Sequence, residues 1–141
     1  TCDDPAMLKL VRMLAAAAVA VSMSGCGGVN SPSTQCPEDF SGTLDPQGQS
    51  FKTFSVAKTG ELLLTLQTLT PRPVLGFLSV GVGTPAGSVC SPLLGYIVSQ
   101  AAVGTPYSFP TIVKGTYCVV IADGNAILPG QVSWTMRVSH P

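Results

Sequence analysis

Two hydrophobic patterns divide the chain near residue 26. Residues 13–23 carry no charge, are mostly apolar, and follow the basic residues Lys9 and Arg12. From about residue 40 onward, apolar residues alternate with polar ones, and turn-forming residues interrupt them at short intervals. A period of two places every second side chain on one face of a strand, and no helical period is found in this part. The second segment is therefore predicted to be all-β.

The alternating part predicts eight or nine strands and no helix. They are residues 40–44, 50–56, 61–70, 74–82, 89–90, 95–102, 107–112, 116–122 and 131–139. The strongest strand places Leu62, Leu64 and Leu66 on one face, and the last strand directs Trp134 and Met136 inward. Two antiparallel sheets packed face to face would bury these faces. The predicted fold class is an antiparallel β-sandwich.

The first pattern is that of a secretory signal peptide, with a basic start, a short apolar core and small residues after it. It is too short to cross a bilayer, which needs about 20 apolar residues. The motif Met23-Ser24-Gly25-Cys26 resembles the lipobox of bacterial lipoproteins. That resemblance implies acyl chains on Cys26, each buried CH₂ contributing about 0.8 kcal/mol to membrane binding. Plain secretion after cleavage near Gly25, or a buried helix of a globular domain, are the alternatives.

These observations predict three regions. Residues 1–25 form a cleaved signal helix, with residues 1–6 interpreted as upstream of a true start at Met7. Residues 26–37, rich in Gly, Ser and Pro, form a lipidated flexible tether. Residues 38–141 form the sandwich. In lipoproteins of the enterobacterial type, an aspartate after the lipidated cysteine retains the protein in the inner membrane. With Gly27 at that position, the resemblance implies anchoring in the outer membrane if the organism has one, and otherwise on the outer face of the cell membrane.

Charge excludes several classes of partner. The chain has seven basic and seven acidic residues and no net charge. From Cys26 onward both signs are scattered, without the basic patch that nucleic-acid binding or docking on anionic lipid requires. We therefore expect the lipid anchor to be the membrane contact, no nucleic-acid partner and no cofactor.

The cysteines predict a disulfide rather than a metal site. Cys36, Cys90 and Cys118 follow the lipobox, no Cys-x-x-Cys motif is present, and His140 is the only histidine. A structural zinc site needs four closely spaced ligands. An exported protein can hold disulfides. We predict Cys90–Cys118, which would join two strands. Cys36–Cys118, Cys36–Cys90 and three reduced cysteines stay open.

Candidate sites are few. A serine or cysteine nucleophile needs a histidine base, and His140 is predicted to lie at a frayed end, so no catalytic residue is expected. Asp123 and Asn125 could contribute oxygen ligands to calcium, but an ordinary turn is favoured and no metal site is predicted. Tyr96 and Tyr107 are predicted as surface aromatic residues that contact a ligand. The remaining tyrosine, Tyr117, and the single tryptophan, Trp134, are predicted in the core.

Several segments resemble the bacterial pre-peptidase C-terminal domain. They are Ser41–Leu44, Phe51–Val56, Gly60–Leu66, Lys114–Ile121 and Val132–Val138. The resemblance implies a jelly-roll-like sandwich that accompanies secreted peptidases without being catalytic. It also implies binding of carbohydrate or protein surfaces. Some members carry acidic calcium sites, but the segment Leu75–Ala86 lacks those acids.

The sequence thus predicts a lipid-anchored, non-catalytic sandwich at the cell envelope. Its predicted role is that of a binding or structural module for an envelope protein or glycan. The alternative is an accessory or inhibitory lipoprotein that acts on a secreted hydrolase.

Overall fold

The computed structural model describes residues 35–73 and 76–141. The predicted signal peptide, the lipid-attachment residue Cys26 and nearly all of the predicted tether lie outside these residues. Within the described part no helix is long and apolar enough to span a membrane.

The described residues form eight antiparallel strands. They are β1 (Cys36–Leu44), β2 (Gln49–Val56), β3 (Gly60–Thr70), β4 (Leu78–Ala86), β5 (Val89–Ala101), β6 (Pro106–Ile112), β7 (Gly115–Ala122) and β8 (Val132–His140). The predicted all-β class is confirmed. A β-turn connects β1 to β2. The Gly48 amide donates to the Asp45 carbonyl at 3.0 Å, and Pro46 presets the backbone of the turn.

The strands pair in a nested order. β4 pairs with β5, β3 with β6, β2 with β7 and β1 with β8, so the chain resembles a long hairpin rolled onto itself. Rolling splits the strands into two four-stranded sheets. Sheet A has the order β1-β8-β3-β6 and sheet B the order β2-β7-β4-β5. This eight-strand arrangement is a jelly roll.

The core lies between the two sheets and follows the predicted alternation. Leu62, Leu64 and Leu66 of β3 have no solvent exposure, and Trp134 and Met136 of β8 are buried against them. The Trp134 indole N–H donates to Ser50 Oγ at 3.1 Å, which satisfies the one polar atom of this large ring.

Several strand boundaries differ from the prediction. The strand predicted to end at residue 82 continues to Ala86, because β4 pairs with β5 as far as Ala86 with Val89. β1 begins at Cys36 rather than residue 40, because it pairs with β8 along its whole length, from Cys36 with His140 to Leu44 with Val132. β4 begins at Leu78 and not at residue 74, after Gly76 with a positive φ of 85°. The predicted strands 89–90 and 95–102 are one strand, since β5 pairs with β4 on both sides of an irregularity.

Candidate functional site

The predicted Cys90–Cys118 disulfide is confirmed, and it fixes the position of β5. The two Cα atoms are 6.0 Å apart. Cys118 lies on β7 and points away from the main core, and together with Cys90, Val120 and the half-buried Phe51 it forms a second apolar cluster. In sheet B, β4 lies between β7 and β5. A disulfide from β5 to β7 must therefore cross β4, so it holds the start of β5 over the outer face of sheet B.

Two further contacts press the start of β5 onto that face. The Gln49 side chain on β2 accepts from the Cys90 amide at 3.1 Å and donates to the Cys90 carbonyl at 3.2 Å. At Gly83 on β4, a Cβ atom would lie 2.2 Å from the Ser91 carbonyl oxygen. Only glycine allows this close approach of two backbones. The β4–β5 hairpin is therefore tied to both β2 and β7.

Beyond this tie, β5 carries a wide bulge. Gly83 pairs with Pro92 and Gly81 with Ile97, so the chain of β5 contains several more residues than the facing stretch of β4. Gly95, with φ of 84°, makes the bulge sterically accessible. Leu93 packs against the core, whereas the side chain of Leu94 is 99% exposed. Sequence reasoning missed this protrusion.

Exposed apolar side chains concentrate on β5. The large hydrophobic residues that are exposed in the described chain are Phe77, Val89, Leu94, Ile97 and Val113, and three of them belong to β5. Scattered exposed hydrophobic residues are ordinary, but a group on one disulfide-tied strand is a candidate contact surface. We call Val89, Leu94 and Ile97 the β5 surface.

The outer face of sheet A has the opposite character. Arg137 of β8 donates two hydrogen bonds to Asp39 of β1, both at 2.7 Å, and Thr68 and Thr135 share a hydroxyl hydrogen bond at 2.7 Å. The hydrogen bond from Arg137, helped by its charge, holds the pKa of Asp39 below its usual value. The ion pair and the hydroxyl pair make this part of the face polar.

The two tyrosines predicted to contact a ligand lie where β5 and β6 face each other across the two sheets. Tyr96 of β5 stacks on Phe109, with ring centroids 5.1 Å apart, and its hydroxyl donates to the Thr111 carbonyl. The Tyr107 hydroxyl accepts from the Ala102 amide at 2.8 Å. Both rings are half-buried against the core. They join the two edge strands, and their contact with a ligand stays a prediction.

Asp123 organises the loops at one end of the sandwich. Its carboxylate accepts hydrogen bonds from the backbone amides of Gln47, Ile127 and Leu128, at 3.0, 2.9 and 3.2 Å. Burial alone would raise the pKa of Asp123, but the three amide donors outweigh it and the pKa lies below its usual value. The favoured interpretation of this segment as an ordinary turn agrees with these contacts.

His140 is not at a frayed end, and that prediction is wrong. It closes β8 opposite Cys36, and its side chain is 3% exposed. Its Nε2 atom lies 3.0 Å from Glu38 Oε1, and its ring packs 5.4 Å from that of Phe54, measured between centroids. Strand pairing and an aromatic neighbour bury the ring, so it is a packed side chain rather than a mobile one. Among the residues that the structure describes, no group of three His, Cys, Asp or Glu side chains could hold a metal ion.

Similarity to known proteins is found among solved structures alone. No protein family matches the chain, and no curated protein matches it. Among solved structures the chain is similar to PliG of Aeromonas hydrophila, a periplasmic lysozyme inhibitor of g-type lysozyme. The alignment has a TM-score of 0.46 and 13% identity, and it covers 79% of this chain and 91% of that one.

Proposed function

We propose that this chain is a non-catalytic, lipid-anchored jelly-roll module of the cell envelope that binds a protein partner through the β5 surface. The observation that carries the proposal is Leu94, fully exposed at the tip of a bulge on a strand tied down by a disulfide. The disulfide at Cys90 and the packing of Leu93 against the core anchor the backbone before Leu94, so less backbone freedom is lost when the partner binds. Aliphatic side chains of this kind suit a protein surface better than a sugar, which stacks on aromatic rings.

The polar groups of the described chain support a non-catalytic role. His140, the only histidine in the chain, is buried against Glu38 and Phe54. Asp123 already accepts three backbone hydrogen bonds. The anchor at Cys26 rests on the lipobox resemblance alone, since that residue lies outside the described part.

The protein-binding proposal is tested by photo-crosslinking in the native cell. A crosslinking amino acid replaces Leu94 in one variant and the exposed Thr43, on the outer face of sheet A, in a matched control. We expect position 94 to crosslink one defined envelope protein and position 43 not to do so. Leu94→Ser should reduce copurification of that protein at least about tenfold, the loss of about 1.4 kcal/mol. Equal crosslinking from both positions, or none from position 94, would contradict the proposal.

The anchor and location are tested separately by intact mass spectrometry of the protein from native membranes. We expect a mature mass that starts at Cys26 and includes acyl chains. An unmodified mass starting elsewhere would remove the anchor while leaving the β5 surface as a binding site.

A second candidate function is inhibition of a secreted hydrolase. An apolar protrusion such as Leu94 matches the concave, apolar shape of many enzyme clefts. The test measures residual activity of secreted peptidases and of lysozymes, g-type lysozyme included, with the wild-type chain and with Leu94→Ser. Inhibition that Leu94→Ser removes supports this function, and undiminished activity across the panel contradicts it.

A further inference from the structure

A pocket lies where the end of β3, the start of β4 and the end of β5 meet. Its volume is about 220 Å³, and apolar side chains supply most of its lining, among them Leu69, Phe77, Leu78, Ala101 and Val103. Drug-sized ligands occupy about 300–1,000 Å³. The pocket therefore suits a smaller molecule with an apolar body.

Arg72 is the only charged residue that lines the pocket. Pro71 and Pro73 flank it, and proline fixes its own backbone φ. The guanidinium is thus presented from a restricted backbone at the rim of an apolar site. A guanidinium binds a carboxylate through two parallel hydrogen bonds.

Within residues 35–73 and 76–141 no acidic side chain neutralises Arg72. The salt bridges of this part of the chain involve only Arg137 and His140. The acids have other partners: Asp39 contacts Arg137, Glu38 contacts His140, Asp45 contacts Gln131, Glu61 contacts Ser108, and Asp123 accepts backbone amides. A negative charge for Arg72 would have to come from outside these residues.

We propose that this pocket binds a small monocarboxylate with an apolar tail. The carboxylate pairs with Arg72, and the tail lies against Leu69, Phe77 and Val103. A medium-chain fatty acid and an apolar amino-acid derivative share this chemistry. The site involves none of the β5 surface residues, so it stands or falls independently of the proposed function.

A titration followed by amide NMR tests the proposal on the purified chain. The ligands are octanoate and N-acetyl-leucine, with acetate as the charge without a tail and octan-1-ol as the tail without a charge. We expect octanoate or N-acetyl-leucine to shift the amides of Phe77, Ala101 and Val103, with at least about tenfold higher affinity than either control. The tighter of the two identifies the source of the carboxylate. No shift at these amides, or acetate binding equally well, overturns the proposal.

A charge-removing variant tests the role of Arg72. Arg72→Gln keeps a polar side chain but removes the charge, and it should weaken the binding of the better carboxylate about tenfold. Lys58→Gln, which removes an exposed charge in the turn between β2 and β3, is the matched control and should leave the affinity unchanged. Arg72 is exposed, so the variant should fold, which an unchanged amide spectrum would verify. Equal affinity of Arg72→Gln and the wild type overturns the proposal.

Discussion

At the scale of single residues, the Asp123 carboxylate accepts three backbone hydrogen bonds at one end of the described sandwich. One carboxylate joins the turn between β1 and β2 to the loop that follows β7, across 76 positions of sequence. Its own amide donates to the Gly48 carbonyl at 3.0 Å, which adds a second link between the same two segments. Asp123 therefore links these two segments through both its side chain and its backbone.

Asp123→Asn should lower the free energy of unfolding by about 1–3 kcal/mol, because the amide group places donors where the backbone amides need acceptors. Denaturant unfolding at neutral pH measures the change. Asp45→Asn is the control, since the Asp45 carboxylate is exposed and accepts from the Gln131 side chain rather than from backbone amides. An Asp123→Asn variant as stable as Asp45→Asn would show that the three hydrogen bonds contribute little.

The same carboxylate predicts a pH dependence. The pKa of Asp123 is lower in the folded state than the value of about 3.9 in an unfolded chain. Its contribution to stability is therefore fully present above that value and is lost as the pH falls through the folded-state pKa. We expect the stability difference between wild type and Asp123→Asn to shrink below about pH 4. A constant difference down to pH 2 would contradict this.

Residue-level prediction from sequence worked where the environment follows from local alternation. Leu64, Trp134 and Met136 are buried because they share a strand face, and that periodicity is visible in the sequence. The burial of His140 was not visible, because it depends on Glu38, 102 positions away, and on Phe54 of the other sheet. Such contacts arise only once distant strands pair.

At the scale of elements, the β4–β5 hairpin depends on the small size of Gly83. A methyl group there would lie 2.2 Å from the Ser91 carbonyl oxygen and 2.9 Å from Cys90 Sγ. Both atoms belong to the segment that the disulfide holds. Neither can retreat without moving β5.

Gly83→Ala should therefore destabilise the protein by about 1–3 kcal/mol, the usual cost of overpacking a tight contact. Gly130→Ala is the matched control, because a Cβ atom there meets nothing within 4 Å. It should change the stability by less than about 0.5 kcal/mol. Thermal unfolding of the two variants measures the difference. Equal stability would mean that β5 can move away from β4 at little cost.

The element boundaries show what sequence could not supply. Pro92 and Gly95 break the alternation of β5, so the sequence predicts two strands with a break between them. The structure keeps one strand, because pairing with β4 resumes from Gly81 with Ile97 after the bulge. Tertiary pairing outweighs local propensity here. The candidate contact residue Leu94 sits in this break, which is why no periodic pattern pointed to it.

At the scale of the whole molecule, individual strands differ in how far they are shielded from solvent. β7 is buried on both faces, by the main core on one side and by the start of β5 on the other. β1 lies at the edge of sheet A. The sandwich class follows from the alternation, but the order of strands within the sheets does not, because alternation fixes faces and not partners.

Native-state hydrogen exchange should reflect this difference. We expect the amides of β7, such as Val119 and Ile121, to be the slowest to exchange, and those of β1 to exchange much faster. Hydrogen-bonded amides of the same strand are compared with one another, which controls for differences in intrinsic exchange rate. Protection of β1 equal to that of β7 would mean that the sandwich opens only as a single cooperative unit.

The nested pairing also predicts the order in which the strand pairs form during synthesis. Partners in the β4–β5 turn are a few positions apart, whereas Cys36 of the first strand meets His140 of the last. The entropy lost in closing a loop grows with its length. Synthesis runs from the N-terminus, so among the strands of the described residues β1 emerges first and gains its partner last. Until β8 has been synthesised, β1 has no neighbouring strand in sheet A with which it can pair.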